Sequence, residues 1–313
     1  MPMEGASSHK AERVGGLRKW VLLAHPWSFP ASVSPAVVAG SYAYCLYCTG
    51  GVDTLNWVHG ILAVIGVVFF HAAGNILGDY HDFLNGVDVK EKSDRVRPIA
   101  KGYFTPKSAL LYGCSMLLIG ILLGLYLMMR TGLPLLFIGL VGVLSATLYY
   151  KFKYVALGDL MIFICYGLAI ALGMVYVMTG QLVWAVLPVS APLGLLIVAI
   201  LHANNTRDIE QDRSAGIRTL AMNQGLEGAQ VTYQAFLLTA YLLVALLVML
   251  KLMSPYTFLV LLSFPLAMKN IRQMNRATMD YPGAIQTLDA RTSLLVMLFG
   301  LLQVTGNVIA ALI

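Results

Sequence analysis

Charged side chains are scarce in this chain. Asp, Glu, Lys and Arg together make up 12% of its 313 residues, against about 25% in soluble globular domains. Hydrophobic residues reach 58%, and the mean hydropathy is +0.76. This composition excludes a water-soluble enzyme with a separate soluble domain. The chain is therefore predicted to be an integral membrane protein.

Cysteine and signal-peptide features are also sparse. The chain has four cysteines, and the pair Cys45-x-x-Cys48 has no second pair or nearby histidine to complete a zinc site. Residues 1–20 are mostly polar, with several basic side chains, and they lack the apolar core of a cleaved signal peptide. We expect a cytoplasmic tail over residues 1–20, followed by a single membrane domain over residues 21–313.

Long apolar runs predict an all-α protein with about nine transmembrane helices around a central cavity. The predicted spans are 27–48, 55–80, 107–129, 132–150, 155–179, 182–203, 231–252, 255–270 and 292–312. The loops at about 80–106 and 204–230 are long, and we expect them to cap the cavity. Spans two and six end in similar polar motifs, which suggests an internal duplication of four-helix units.

Positive charge is distributed unevenly among the loops. Of the 21 Lys and Arg residues, only Arg130 and Lys251 fall in the loops of one side. Because Lys and Arg accumulate in cytoplasmic loops, we expect the N-terminus and both polar motifs to face the cytoplasm, in a bacterial inner membrane. The net charge of +6 suits loops that face anionic lipid, and nothing indicates nucleic-acid binding.

Two polar motifs at the ends of apolar runs carry the chemistry. They are Asn75-Ile-Leu-Gly-Asp79-Tyr-His-Asp82 and Asn204-Asn205-Thr-Arg-Asp208-Ile-Glu-Gln-Asp212. On a helix, the Asn and Asp residues of each motif fall within an arc of roughly 60–80°, so each set points one way. Like charges beside hydrocarbon are costly, and a divalent cation shared by the two helix ends would neutralise them. The motifs therefore predict a magnesium site and a polyanionic ligand.

Other side chains near the motifs are candidates for binding a diphosphate or an organic substrate. The amides of Asn75, Asn204 and Asn205 would add neutral oxygen ligands or hold the carboxylates. Basic candidates, each of which is equally explained as a solvated loop charge, are Arg95, Arg97, Lys101, Lys151, Lys153, Arg207, Arg213 and Arg218. Aromatic candidates for stabilising an allylic cation, each otherwise a packing residue, are Phe69, Phe70, Tyr149, Tyr150 and Tyr166. His71 and His202 would orient or deprotonate an acceptor, or simply bond a carbonyl.

Together, these groups favour a site that binds a lipid diphosphate through a metal ion. A cation-coupled transporter is the alternative from another class, but transporters more often place paired carboxylates near the bilayer midplane. The Asp-Gly-x2-Ala-Arg signature of CDP-alcohol phosphotransferases does not occur.

With these residues in view, the chain resembles the UbiA superfamily of intramembrane prenyltransferases over nearly its whole length. The first motif, continued by Gly86 and Asp88, resembles the 1,4-dihydroxy-2-naphthoate polyprenyltransferases of menaquinone synthesis. Two further segments resemble the same branch: Asn204-Asn205-x-Arg207-Asp208-x3-Asp212-x3-Gly216-x-Arg218-Thr219-Leu220 and Pro26-Trp-Ser-Phe-Pro30-Ala-Ser-Val-Ser-Pro35.

This resemblance implies magnesium-dependent transfer from a polyprenyl diphosphate to 1,4-dihydroxy-2-naphthoate, with decarboxylation to demethylmenaquinone. It implies that magnesium is held by Asp79, Asp82, Asp208 and Asp212, assisted by Asn75 and by Asn204 or Asn205. It assigns the diphosphate to Arg97, Lys101, Lys151 and Arg218, and places Tyr149 near the reacting carbon. Alternative acceptors are 4-hydroxybenzoate, homogentisate or a lipid alcohol.

Two positions depart from the family pattern. His25 precedes Pro26 where relatives commonly have arginine, and Arg18 or Lys19 would have to replace the diphosphate contact expected there. Asp159 stands where a glutamate is common, which keeps the charge and shortens its reach.

Overall fold

The computed structural model describes residues 16–87, 98–278 and 281–313. Its helices are α1 (Gly16–Leu23), α2 (Pro30–Cys48), α3 (Trp57–Leu84), α4 (Pro106–Thr131), α5 (Pro134–Lys153), α6 (Gly158–Ile162), α7 (Ile170–Thr179), α8 (Val186–Arg207), α9 (Ile209–Ser214), α10 (Leu220–Met249), α11 (Phe264–Met274) and α12 (Leu288–Leu312). A π-helical segment, Phe163–Ala169, joins α6 to α7. Short 3₁₀ segments are Pro26–Ser28, Pro255–Ser263 and Pro282–Ile285. No β-strand occurs within the described ranges.

The predicted all-α membrane architecture is confirmed. Each predicted span coincides with one helix or with consecutive helical segments, such as α6, the π-helical segment and α7. Within the described ranges, seven helical spans are long and apolar enough to cross a membrane. Because α2 and the segment that ends in α11 are not among these seven, the count of nine is not confirmed.

The helix ends differ from the prediction where the polar motifs lie. α3 continues to Leu84 instead of ending at 80, and α8 continues to Arg207 instead of ending at 203. The region expected to form the second cap contains α9 and the first turns of α10, which bend at Gly225 (φ 69°, ψ 176°). In the first expected cap, residues 88–97 lie outside the described residues.

Local sequence signals explain where several of these helices begin. Asn56, Thr105 and Thr219 each accept a hydrogen bond from a backbone N–H three residues further on. This satisfies a donor that the first turn of a helix leaves without a partner. Proline occupies the start of α2, α4 and α5, where its missing N–H is tolerated.

Close packing around α8 places the residues of the site. α8 contacts α10, α12 and the π-helical segment. Gly194 on α8 meets Gly167 of the π-helical segment, and a Cβ added at Gly194 would lie 2.8 Å from the Gly167 Cα. Small residues allow membrane helices to approach each other in this way. The same segment turns Cys165 and Tyr166 toward a large cavity.

Replacing Gly194 with alanine is expected to destabilise the bundle, because the added methyl group would meet backbone atoms. We expect the free energy of unfolding in detergent to fall by about 1–3 kcal/mol, measured as a lower thermal midpoint. Gly124→Ala is the matched control, since no neighbouring atom lies within 4 Å of a Cβ at that position. Equal effects of the two substitutions would contradict the packing described here.

Candidate functional site

The two polar motifs line one cavity. Its volume is about 850 Å³, and it lies among α3, α5, α8, α12 and the start of α2. The motif residues on its lining are Asn75, Asp79, Asp82, Asn204, Asn205, Asp208 and Asp212. The structure therefore brings together all the Asn and Asp residues that were assigned to the metal and its neighbours.

In the first motif, Asn75 and Asp79 contact the bend between α1 and α2. The Asn75 amide donates one hydrogen bond to Ala24 O (3.0 Å) and another to Ser28 Oγ (2.9 Å). Because these bonds use both N–H groups of the amide, only its oxygen remains to meet a ligand. His25 Nε2 lies 3.0 Å from Asp79 Oδ2.

His25 is the basic residue that the N-terminal bend presents to the cavity. It has a left-handed backbone (φ 54°), which is uncommon for a residue with a side chain. Neither Arg18 nor Lys19, which were expected to replace the family arginine, lines the cavity. Lys19 Nζ lies instead 5.0 Å from the centre of the Phe104 ring.

Asp82 faces the end of α5. Tyr154 donates its hydroxyl hydrogen to Asp82 Oδ1 (2.8 Å), and Lys153 Nζ lies 3.3 Å from Asp82 Oδ2. Tyr149, one helical turn before Lys153, also lines the cavity. Gly158 lets the following chain pass close to this turn, since an added Cβ would lie 3.3 Å from Lys153 Cα.

In the second motif, Asp208 forms a bidentate ion pair with Arg207. Arg207 Nε and Nη2 lie 2.7 and 2.8 Å from the two carboxylate oxygens. Arg207 also reaches Asp289 Oδ2 on α12 (3.2 Å) and donates to Asn204 Oδ1. The expected continuous helical arc is interrupted, because α8 ends at Arg207 and Asp208 joins it to α9. Asp212 on α9 nevertheless lines the cavity.

The two histidines near the motifs have different surroundings. His71 lines the cavity, and its Nδ1 lies 2.8 Å from Ser32 Oγ. His202 is fully buried, with Nδ1 2.8 Å from Asp159 Oδ2 and Nε2 3.0 Å from Ala229 O. His202 therefore ties α8 to α6 and α10 from behind the cavity wall.

Negative charge predominates on the described lining of the cavity. The carboxylates that reach it are Asp79, Asp82, Asp208, Asp212 and Asp289. Lys153 is the one lysine on this lining, and no arginine joins it. Repulsion among carboxylates is strong where water is displaced, so a multivalent cation would be stabilised here. Among the described residues, no three His, Cys, Asp or Glu side chains are grouped to hold a metal ion by themselves.

Three predicted diphosphate-binding residues do not line the cavity: Lys101, Lys151 and Arg218. Lys151 is exposed, and its Nζ lies 5.9 Å from the centre of the Tyr150 ring. Arg97, the fourth, lies outside the described residues, as do Arg95 and Asp88. The structure therefore gives no support to a diphosphate contact by the first three, and their role stays a prediction.

Two charged residues on the cavity lining were not singled out from the sequence: Lys153, which was named only among the basic candidates, and Asp289. Lys153 lies one turn after Tyr149 and shares its face of α5, whereas Lys151 lies about 160° around the helix from Tyr149. The spacing Tyr149-x3-Lys153 is therefore a signal that would have identified this lysine. Asp289 follows no polar motif, and only the fold brings it to Arg207.

Three of the five candidate aromatic residues line the cavity: Phe70, Tyr149 and Tyr166. Phe69 and Tyr150 do not. The rings that reach the lining come from α3, α5 and the π-helical segment.

Comparison with known proteins gives matches over most of the chain. The profile of the UbiA prenyltransferase family matches residues 32–284. The chain is 35% identical over 297 residues to UbiA prenyltransferase domain-containing protein 1 of Ailuropoda melanoleuca. This match covers 93% of this chain and 84% of that protein.

Solved structures share the fold. A UbiA homolog from Aeropyrum pernix K1 superposes with a TM-score of 0.66 at 16% identity, covering 90% of this chain and 98% of that one. A UbiA homolog from Archaeoglobus fulgidus, bound to DMAPP and Mg2+, has a TM-score of 0.58 at 14% identity and covers 92% and 99%.

Replacing Lys153 with methionine is expected to weaken binding of inorganic pyrophosphate in the presence of Mg2+ by about tenfold or more, because a charge-assisted hydrogen bond is lost. Isothermal titration calorimetry on the detergent-solubilised protein measures this. Lys151→Met, two residues away on the exposed face, is the matched control and should leave the affinity unchanged. A larger loss with Lys151→Met would restore the assignment made from sequence.

Proposed function

Because the chain belongs to the UbiA prenyltransferase family, we propose that it transfers a polyprenyl group from a polyprenyl diphosphate to an aromatic acceptor, with magnesium as cofactor. The observation that carries this proposal is the single cavity lined by both acidic motifs. The Archaeoglobus homolog, which has the same fold, was solved with DMAPP and Mg2+. The family assignment also removes the reason for considering a transporter.

The residues of the cavity fit a magnesium ion. The candidate ligands are all oxygen donors, which hard cations prefer, and magnesium commonly binds through a few carboxylates together with substrate phosphates. Asp79 and Asp82 would hold it from α3, Asp208 from the junction between α8 and α9, and Asp212 from α9. The Asn75 oxygen is the neutral donor beside the first pair. When bound, magnesium would neutralise the diphosphate and stabilise its departure.

The protein's own side chains would then position the donor. Lys153 lies beside Asp82, where it would donate to a diphosphate oxygen. Arg207 keeps both oxygens of Asp208 engaged and so fixes the orientation of that carboxylate. Positioning of this kind lowers the barrier because the reacting groups meet already aligned.

Aromatic and apolar side chains would protect the reacting carbon. When the bond between the allylic carbon and the diphosphate oxygen breaks, positive charge develops on that carbon. The faces of Tyr149, Tyr166 and Phe70 supply negative potential toward such a charge. The aliphatic part of the lining keeps out water, which would otherwise add to the cation.

We propose 1,4-dihydroxy-2-naphthoate as the acceptor, on the strength of the motif spacings given above. Its ring carbon would attack the allylic cation, and carbon dioxide and a proton would leave as the ring regains aromaticity, giving the prenylated naphthoquinol, which is the reduced form of demethylmenaquinone. The names of the relatives identify no acceptor, so 4-hydroxybenzoate, homogentisate and a lipid alcohol remain alternatives.

The distribution of Lys and Arg supports a site that faces the cytoplasm. The bacterial inner membrane proposed from the sequence draws no support from the Ailuropoda relative, which is an animal protein.

Asp79→Asn and Asp208→Asn should each lower kcat by about 100-fold or more, because each removes a carboxylate that would hold the magnesium neutralising the leaving group. Glu210→Gln is the matched control, since Glu210 lies on the same segment but pairs with Arg213 at the surface. Turnover of a labelled prenyl diphosphate, with thermal unfolding as a check on folding, measures the effect. Activity retained by either Asp variant would refute the role assigned to that motif.

An acceptor screen tests the naphthoate proposal. Membranes containing the protein are incubated with a prenyl diphosphate, Mg2+ and each acceptor in turn, and products are identified by mass spectrometry. We expect prenylated naphthoquinol, with release of labelled carbon dioxide from carboxyl-labelled naphthoate. Product formation with another acceptor and none with 1,4-dihydroxy-2-naphthoate would contradict the assignment of naphthoate as the acceptor.

A further inference from the structure

Arg207, the last residue of α8, has every N–H of its guanidinium engaged. A guanidinium carries five N–H donors in a rigid, planar arrangement. Two of them bind the Asp208 carboxylate, and a third donates to Asn204 Oδ1. The remaining two, on Nη1, reach Asp289 Oδ2 at 3.2 Å and the Gln286 carbonyl oxygen at 3.3 Å. In this arrangement Arg207 has no N–H left to donate to a diphosphate.

The partners of Arg207 come from two parts of the fold. Asn204 and Asp208 belong to the second acidic motif, whereas Gln286 and Asp289 lie just before and at the start of α12. Because the guanidinium is rigid, holding its Nη1 against α12 also fixes the direction of the Nε–Nη2 edge that faces the motif. The start of α12 therefore determines how Arg207 meets the motif.

Asp289 is itself held by the helix that carries it. It lies in the first turn of α12, where the helix dipole stabilises a carboxylate. Its Oδ1 accepts a hydrogen bond from the backbone N–H of Ala290 (2.8 Å), which leaves Oδ2 directed at Arg207. The Arg207 side chain is only 7% exposed, so this charge-assisted bond is largely shielded from water and is stronger than a surface ion pair.

Arg207 also determines which end of the Asn204 amide faces the cavity. A guanidinium can only donate hydrogen bonds, so the amide must turn its oxygen toward Arg207. Asn204 lines the cavity, and the end of the amide that remains for a ligand is its NH2 group. An NH2 group donates to anions and does not coordinate magnesium, so this orientation suits a diphosphate oxygen.

The bidentate pair leaves Asp208 able to bind a metal ion. Each carboxylate oxygen has two lone pairs, and Arg207 uses one on each oxygen. Because both oxygens are held, the carboxylate cannot rotate freely, and its remaining lone pairs keep one direction. Groups that hold a metal ligand in this way commonly raise the affinity of a site without touching the metal.

We propose that Asp289 is a positioning residue, which acts through Arg207 to orient Asp208 for magnesium and the Asn204 amide for the diphosphate. This rests on the proposed function. By its charge alone, Asp289 would repel a diphosphate, since it adds to the carboxylates that line the cavity. Its orienting effect and its direct electrostatic effect on diphosphate binding therefore have opposite signs, and a substitution can distinguish them.

The test measures the affinity of the detergent-solubilised, full-length protein for inorganic pyrophosphate at saturating Mg2+, by isothermal titration calorimetry. Asp289→Ala should weaken binding about tenfold or more, because Arg207 loses a charged partner that fixes its orientation. Asp289→Asn should bind within about threefold of wild type, since its amide oxygen can still accept a hydrogen bond from Nη1 although the charge is gone. Thermal unfolding of each variant checks folding.

Ser293→Ala is the matched control. Ser293 lies one turn after Asp289 on α12 and lines the same cavity, but its hydroxyl donates to the Asp289 backbone oxygen (3.0 Å) and not to a charged group. This variant should keep the wild-type affinity. If Asp289→Ala does not fold, Arg207→Lys replaces it. Lysine keeps the positive charge but cannot hold all these partners at once, so a loss of about tenfold or more is again expected.

Each other outcome overturns a stated claim. Unchanged or tighter binding by Asp289→Ala, or wild-type affinity in Arg207→Lys, would show that orientation through Arg207 does not matter and would overturn the proposal. Equal losses in Asp289→Asn and Asp289→Ala would overturn it too, because charge alone would then explain them. An equal loss in Ser293→Ala would assign the effect to α12 as a whole. Wild-type protein that does not bind pyrophosphate with Mg2+ would instead contradict the proposed function.

Discussion

Repulsion among carboxylates held beside hydrocarbon is the constraint on which the rest of this structure depends. Five aspartates reach one cavity, and Lys153 is the only lysine or arginine on its described lining. Where water is displaced, such charges interact strongly. Arg207 offsets part of the charge on the α8 side, and Lys153 and His25 contact the α3 motif. The balance that remains favours ligands that bring a multivalent cation with them.

The helices position these carboxylates without forming a complete coordination shell for a metal ion. The close contact of Gly194 with Gly167 brings the π-helical segment against α8. Behind the second motif, His202 joins Asp159 to the carbonyl of Ala229. Both features fix α8 laterally, so its acidic end is presented to α3 across a preformed space. A site of this kind completes its metal coordination with substrate phosphates, which couples metal binding to donor binding.

The sequence predicts the apolar spans and the polar motifs well because each is a local pattern. Hydrophobic length defines a membrane helix, and a helical period of 3.6 residues places Asn75, Asp79 and Asp82 on one face. The first motif lies wholly within α3, which extends to Leu84, whereas only the Asn204–Arg207 part of the second motif extends α8.

Features of the cavity that the sequence did not predict depend on tertiary contacts. The family resemblance assigned Lys151 to the diphosphate, whereas the rotation of α5 places Lys153 on the cavity lining. The side chain of His25 contacts Asp79, and His25 has a left-handed backbone conformation that no sequence pattern predicts. Asp289 is distant in sequence from both motifs, and the break of α8 at Asp208 interrupts what periodicity treats as one helix.

The most direct test of the account is a structure of the protein with Mn2+ and a prenyl thiodiphosphate, with the metal located by its anomalous signal. We expect metal density in the cavity between α3 and α8, with at least one oxygen ligand from Asp79 or Asp82, at least one from Asp208 or Asp212, and the thiodiphosphate bridging the two motifs. Metal bound by one motif alone, with the other motif facing away from the thiodiphosphate, would contradict it.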